Sequence, residues 1–401
     1  MPLPVLSLML VVFSLTTGEF VIAGILPDVA ADLSVSIPAA GLLVTAYALG
    51  MIVGGPVVTV VTARLARGTL LTGLIAVSLV GNVASAVAPT YALLLGARFV
   101  AGLVVATFFA VAITTAVSMA PEGRQASTVA KLVLGMNLGI ILGTPIGTLI
   151  GQNLGWRTTF VAVAAVATAG LLAVLRFVPA GPALATGSVV GELRVFANSD
   201  VRLAIALTAV GNVGIVMVFS YITPLLTDVA GFAAGAIPVL LLVYGTGAVL
   251  GNFLGGWLSD KALMPSLIGI LGVLAGTLVV FWMVSGIRPA AAVLTFALGV
   301  LAFALIPGMQ ARVLTTASAA PTLAVAVNAS GFQLAAAFAG WLGGQVISSG
   351  LGLRSIYPAA AALTVAGLAI SLYSLRRDHQ SVLALLPRRR TNRCRTYAHD
   401  R

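Results

Sequence analysis

Glu19 stands in TTGEFVIAGILPD, residues 16–28, near the end of the first long apolar run of a chain that is only 8% charged. A charge at the centre of a membrane helix costs roughly 2.5–3.5 kcal/mol on insertion scales, so one that is kept needs a compensating reason. Burial favours the neutral acid and a nearby cation favours the carboxylate. A group held between those influences can take up a proton on one side of a barrier and release it on the other. Glu19 is therefore a candidate proton-coupling site and a candidate anchor for a cationic substrate. The plainer alternative is a glutamate that stays neutral and hydrogen-bonded to a neighbouring helix. The other charge well inside an apolar run is Arg98, in LLLGARFVAGLVVA, residues 93–106. It can snorkel to the interface, bond main-chain carbonyls of a neighbouring helix, or bias a carboxylate's affinity for protons.

Little else is equipped for chemistry. Both histidines, His379 and His399, and the single cysteine, Cys394, fall in the last stretch of the chain. No intramolecular disulfide, metal-site spacing, paired carboxylates or nucleophile constellation follows from the apolar runs. The phosphate-cradling pattern G-x-x-x-x-G-K-[ST] is absent, which argues against ATP-driven work. An enzyme is thus the weakest class, and no cofactor or metal is expected. Asn137, Asn212, Asn328 and Gln333 are polar side chains within apolar runs. Each is first an interhelical hydrogen bond, worth about 0.6 kcal/mol. Asn137, Asn212 and Gln333 are also candidates to line a polar cavity together with Glu19. Phe108, Phe109, Tyr221, Tyr244 and Phe332 are candidates to stack on a planar substrate, against a default of core or lipid contact.

The elements that must position these residues are membrane helices. The chain has 401 residues, 60% of them hydrophobic, and a mean hydropathy of +1.13. A soluble globule is roughly 45–50% apolar. About 20 apolar residues cross a bilayer, which predicts twelve helices at 5–26, 41–62, 69–87, 90–112, 128–150, 158–178, 202–225, 235–258, 264–285, 289–310, 322–347 and 355–375. The first run lacks a basic leader and carries Glu19, so it reads as a retained helix and not a signal peptide. The one substantial connector, 179–200, divides a first six-helix bundle, 1–178, from a second, 201–375, with a basic tail at 376–401.

Placing both termini in the cytoplasm puts nine bases in the inside loops, Arg64, Arg67, Arg124, Lys131, Arg176, Arg194, Arg202, Lys261 and Arg312, against Arg157, Arg288 and Arg354 outside. That bias obeys the positive-inside rule. The formal charge of +11 owes much to the last 26 positions, which hold eight of the 21 bases. A tail of this kind reads as cytoplasmic retention and lipid-headgroup contact, not nucleic-acid binding.

The halves also repeat. Tyr47, Gly50, Gly54 and Arg64 stand against Tyr244, Gly247, Gly251 and Lys261, each 197 residues on, and LGWR at 154–157 stands against LGLR at 351–354. Parallel duplication is the pattern of transporters whose halves rock about a site near the midplane. In the fifth run, Gly135, Gly139, Gly143, Gly147 and Gly151 recur every four residues around Pro145. Such a stripe permits close backbone packing, and the proline implies a kink. We expect it to serve a moving interface between the halves.

On EFVIAGILPDVAADL, LLLGARFVAGL and LGIILGTPIGTLIGQNLGWRTTF, the chain resembles the major facilitator superfamily, in its twelve-helix drug:proton antiporter branch, and is similar to bacterial chloramphenicol-resistance and sugar-efflux permeases. The resemblance covers residues 1–375 and implies an all-α integral membrane protein with twelve transmembrane helices in two pseudo-repeated six-helix bundles. It implies a fourth-helix motif at Arg98 and Gly102, and an antiporter motif at Gly139, Gly143, Pro145 and Gly147, with Thr144 where a glycine usually precedes the proline. The family's charged gate between helices two and three lacks its acid here, with Ala63 and Arg64 in place, followed by Arg67. Its second-half counterpart keeps the pattern in Asp260 and Lys261. The resemblance further implies a bacterial inner-membrane location, proton-coupled efflux of small, mostly apolar compounds such as chloramphenicol, and protons, lipid and a small molecule as partners. The rival readings are a sugar or nucleoside exporter and a non-transporting sensor. A monomer is the simplest expectation.

Overall fold

The computed structural model describes residues 2–62, 64–122, 124–179, 199–316 and 321–385. Most of the predicted connector and tail, and Ala63, therefore lie outside the described residues. Those described contain twelve helices long and apolar enough to cross a membrane. They are α1 (Leu3–Phe20, continued by Ile22–Asp32), α2 (Ile37–Thr62), α3 (Arg67–Val87), α4 (Tyr91–Leu103 and Val105–Ser118), α5 (Gln125–Leu138, Gly139–Gly143 and Thr144–Leu154) and α6 (Trp156–Phe177) in the first half. The second half holds α7 (Ser199–Ser220, continued by Ile222–Pro224 and Leu225–Val229), α8 (Ile237–Lys261), α9 (Leu263–Val284), α10 (Arg288–Thr316), α11 (Pro321–Val346, extended by Ile347–Leu351) and α12 (Ile356–Leu385). In hydrocarbon every main-chain amide and carbonyl must be satisfied internally, which a helix alone achieves within one segment.

Several helices outrun their apolar runs, and this moves charges. Arg312 is not a loop residue: it is only 9% exposed inside α10, where Nη2 donates to Ser374 Oγ of α12 at 2.9 Å. Lys131 lies within α5, and Asp260 and Lys261 form the last turn of α8. Arg376 and Arg377, expected in the tail, belong to α12, and Arg377 pairs with Asp200 of α7 at 3.3 Å.

The duplication holds in three dimensions. A Cβ at Gly50, Gly54 or Gly102 would strike the carbonyl oxygen of Phe99, Leu103 or Tyr47; a Cβ at Gly247, Gly251 or Gly299 would strike that of Phe296, Val300 or Tyr244. Every partner in the second set stands 197 residues after its counterpart in the first. Thus α2 packs on α4 as α8 packs on α10, backbone against backbone. The prolines obey the same shift: Pro27 follows the break of α1 at Val21, and Pro224 follows the break of α7 at Tyr221. The charges do not. At the offset of Glu19 stands Val216, and at that of Arg98 stands Thr295.

The two halves meet along α2 against α11 and α5 against α8. On the side away from the chain termini, three side chains donate hydrogen bonds between them among the described residues, Thr223 to both Ala23 O and Gly24 O. Thr45 Oγ1 donates to Ala337 O at 2.8 Å, Gln152 Nε2 to Ala234 O at 2.9 Å, and Thr223 Oγ1 to Ala23 O at 2.7 Å. The last has a covalent cause. Proline has no N–H, so Pro27 cannot serve the carbonyl four residues back, and Ala23 accepts from the other half instead.

The glycine stripe of α5 overturns one expectation. Gly135, Gly139, Gly143 and Gly151 press on Met9, Thr16, Thr17 and Ile25 of α1, and Gly147 on Val21 at its break. The stripe faces within the first half and not across the seam. The α5 surface that meets the second half carries Ile141, against which Gly245 of α8 packs. Pro145 produces a turn of π-helix over Gly139–Gly143, in which Thr144 Oγ1 also reaches Gly139 O at 3.3 Å.

Candidate functional site

The break in α1 sets Glu19 and Phe20 in the wall of a cavity of about 140 Å³ between the halves. From the second half, α7 contributes Asn212 and Phe219, α8 Tyr244, α10 Phe303, and α11 Phe332 and Gln333. Aromatic rings form one continuous run: Phe20 meets Phe219 edge-on at 5.6 Å, Phe219 meets Tyr244 at 4.8 Å, and Tyr244 meets Phe303 at 6.5 Å. Edge-to-face and tilted contacts of this kind are the preferred aromatic geometries. Glu19 is the acidic side chain of this lining. Its Oε1 accepts from Gln333 Nε2 at 3.2 Å, a side-chain bond between the halves. The other polar atom of that amide, Gln333 Oε1, is buried with no hydrogen-bond partner.

Arg98 is fully buried. Its Nη1 donates to Gly18 O at 2.8 Å, and Nη2 lies 3.5 Å from Glu19 O. The guanidinium sits 4.3 Å from the ring centre of Tyr47 and 5.5 Å from that of Phe160, both within cation–π range. Of the three roles the sequence left open, snorkelling is excluded by this burial. Arg98 clamps the main chain of α1 one turn before its break and places its charge behind the acid.

The other expected cavity residues divide. Asn212 lines the cavity while its Nδ2 donates to Thr208 O at 2.8 Å and contacts Met309 Sδ at 3.0 Å. Asn137 lines a different, wider cavity on the terminal side. Tyr221 is not in the lining. It is fully buried in the seam, where its hydroxyl donates to Gly340 O at 2.6 Å and leaves no room for side chains at Gly41 or Gly343. Asn328 is an interhelical bond as expected, accepting from Thr208 Oγ1 at 2.6 Å. Tyr244 and Phe332 line the cavity; Phe108 and Phe109 do not. Phe219 and Phe303 of the lining carry no mark in the sequence, because nothing in an apolar run shows which face turns to a cavity.

At the terminal side, Arg67 Nη1 donates to Ser118 Oγ at 2.6 Å, so it spans from α3 to the end of α4 through a hydroxyl. Lys261 Nζ lies 3.6 Å from the ring centre of Trp257. Asp260 and Lys261 form no ion pair among the described residues, and Arg64 is exposed. On the far side, Asp32 accepts from Trp156 Nε1 at 3.1 Å and from Arg157, whose Nη2 also reaches Ala88 O at 3.1 Å. The Arg157 and Trp156 bonds hold the Asp32 carboxyl below the usual carboxylate range. Among the described residues no His, Cys, Asp and Glu side chains group to hold a metal.

A family model described as Major Facilitator Superfamily matches residues 8–321. The inner membrane transport protein YdhP of Escherichia coli (strain K12) is 35% identical over 381 residues, covering 94% of this chain and 97% of YdhP. A chloramphenicol resistance protein of Streptomyces lividans is 36% identical over 345 residues, covering 84% of this chain and 87% of its own. Among solved structures, a bacterial homologue of the human lysosomal transporter Spinster, inward-facing and unoccupied, superposes with a TM-score of 0.76 over 94% of this chain and 97% of that one. At 17% identity this last likeness is one of fold.

Proposed function

Because the chain belongs to the major facilitator superfamily, we propose that it is a proton-coupled antiporter that exports small, mostly apolar compounds, chloramphenicol among them, by alternating access. It works in the bacterial inner membrane as a monomer with both termini in the cytoplasm, and performs no covalent chemistry. The observation that carries this reading is the single carboxylate, Glu19, in an aromatic-lined cavity at the junction of the halves. The likeness to the Streptomyces lividans protein supports the drug, and the placement of basic residues supports the orientation.

The seam is closed on the far side by the Thr45, Gln152 and Thr223 bonds. Substrate enters from the terminal side and settles against the aromatic run. Glu19 then gives up its proton to the cytoplasm or receives one from outside, according to which side is open. Gln333 serves both states: its N–H donates to the carboxylate, and with the amide rotated its carbonyl accepts from the carboxylic acid. The amide bridges the halves, so the protonation state of Glu19 bears on how they are joined. Exchange of one proton for one neutral molecule moves one charge, worth about 2.3 kcal/mol per 100 mV.

Proton release from vesicles containing the purified protein, on addition of chloramphenicol, apolar drugs or sugars, tests the reading with Glu19→Gln in parallel. Substrate-dependent release in the wild type that vanishes in the variant, with binding kept, is expected. Release that persists in Glu19→Gln removes the acid from coupling, and release with sugars alone replaces the substrate class.

A further inference from the structure

The wider cavity on the terminal side has a volume of about 400 Å³ and meets the Glu19 cavity at Phe303 and Ile306, which line both. Three carboxamides face it: Asn137 from α5, Asn252 from α8 and Gln310 from α10. None of the three bonds to another part of the protein among the described residues. Each therefore keeps two N–H donors and an acceptor oxygen for a guest. Val133, Met136, Pro307 and Leu314 complete an otherwise apolar wall without a charged side chain.

That combination selects by chemistry. A charged guest would meet no counter-charge here and would be partly desolvated by the apolar wall. A purely apolar guest would displace water from three amides and return no hydrogen bond. We infer that the wider cavity is a first-contact subsite for neutral amphiphiles, molecules with an apolar body and one edge of hydroxyl or amide groups. The carboxamides hold that edge before the guest passes Phe303 and Ile306 to reach Glu19. Asn137 belongs to the first half and Asn252 and Gln310 to the second, so a guest held by all three spans the seam that closes when the terminal side shuts. The inference rests on the exporter reading for its direction of travel but not on proton coupling at Glu19.

The test uses the full chain with Cys394→Ser, carrying either Ala311→Cys in the wider cavity or Ala336→Cys in the Glu19 cavity. The rate of alkylation by N-ethylmaleimide in membrane vesicles is read with and without chloramphenicol, a neutral ring compound with amide and hydroxyl groups, or tetraphenylphosphonium, a cation with none. Chloramphenicol is expected to slow alkylation at both positions, and still at Ala311→Cys when Glu19 is Gln. Asn137→Leu, Asn252→Leu and Gln310→Leu together should abolish protection at Ala311→Cys and raise the concentration that protects Ala336→Cys about tenfold. Asn252→Leu alone should show part of this effect if the triple variant does not fold.

Protection at Ala336→Cys without protection at Ala311→Cys overturns the subsite and leaves the exporter standing. So does protection at Ala311→Cys that ignores the Leu substitutions, or that tetraphenylphosphonium matches. Protection at both positions with no proton release overturns the coupling alone. Protection at neither position overturns both.

Discussion

Arg98 is bonded to the main chain beside Glu19 and not to its carboxylate: Nη1 reaches Gly18 O at 2.8 Å and Nη2 lies 3.5 Å from Glu19 O. A direct ion pair would hold the acid in its charged form. A guanidinium on the carbonyls behind it fixes the backbone, lends the carboxyl a nearby positive charge and leaves its oxygens to Gln333 and the cavity.

Stability and coupling should therefore separate at these two positions. Arg98→Ala removes a buried charged hydrogen bond, worth about 1.5–3 kcal/mol, and opens a hole among Tyr47, Phe160 and α1. A clear drop in melting temperature in detergent is expected, together with loss of transport. Glu19→Gln keeps the shape and the bond to Gln333, so its melting temperature should stay near that of the wild type while proton release is lost. Equal melting temperatures for the two variants would mean that Arg98 does not anchor α1.

The α1–α5 contact gives a second prediction. A Cβ at Gly143 would overlap Thr17 Oγ1 and lie 2.9 Å from Thr17 Cβ. Overpacking a tight contact costs about 1–3 kcal/mol. Gly143→Ala is expected to lower both the melting temperature and the yield of folded protein, and Thr17→Gly in the same chain to restore them. If the stripe worked across the seam instead, Thr17→Gly would restore nothing.

The twelve spans and their duplication are legible in the sequence because hydrocarbon imposes one length and one hydropathy on every helix. The shift of 197 residues carries the carbonyl that each of these glycines meets in the first half onto its counterpart in the second. Faces are less legible. Gly143 shows that something packs closely, but α1 and α8 are equally apolar, and only the fold decides between them. Tyr221 failed as a cavity residue for the same reason: the break of α7 turns its ring into the seam. Arg312 reads as a loop residue because the apolar run ends at 310, six residues before α10 ends at Thr316. Glu19 and Arg98 were visible because a charge in hydrocarbon is costly, and that cost marks a residue wherever it points.

Gln333 should matter to coupling more than to folding. Gln333→Met keeps length and neutrality but removes the bond to Glu19 Oε1. The pH profile of export is expected to move relative to the wild type, with the melting temperature changed by little, since a single such bond contributes about 0.5–1.5 kcal/mol. An unmoved profile would take Gln333 out of the proton cycle.

The far side of the first half should resist acid. Arg157 and Trp156 hold Asp32 below the usual carboxylate range. A depressed pKa adds stability that is present above the unfolded value, about 3.9, and is lost only as pH falls through the lower folded value. The side chain is 45% exposed, so the contribution is small. The difference in melting temperature between wild type and Asp32→Asn should be constant from mildly alkaline to mildly acidic pH and shrink only below about pH 4. A difference that shrinks near neutral pH would contradict the Arg157 contact.

Thr223 tests whether closure of the far side is held by the orphaned carbonyl of Ala23. Thr223→Val keeps the volume and removes the 2.7 Å bond between the halves. Pro27 offers no replacement donor, so Ala23 O loses its partner in the closed state and regains one from water when that side opens. A penalty of about 1 kcal/mol on the closed state shifts the balance toward the open one by roughly fivefold. Spin labels at Asn153→Cys and Ala233→Cys, on the far-side ends of the two halves with Cys394→Ser, should show a larger long-distance population in Thr223→Val. An additional Pro27→Ala supplies an amide to Ala23 and should draw that population part of the way back; if neither substitution changes the distances, the bond does not govern closure.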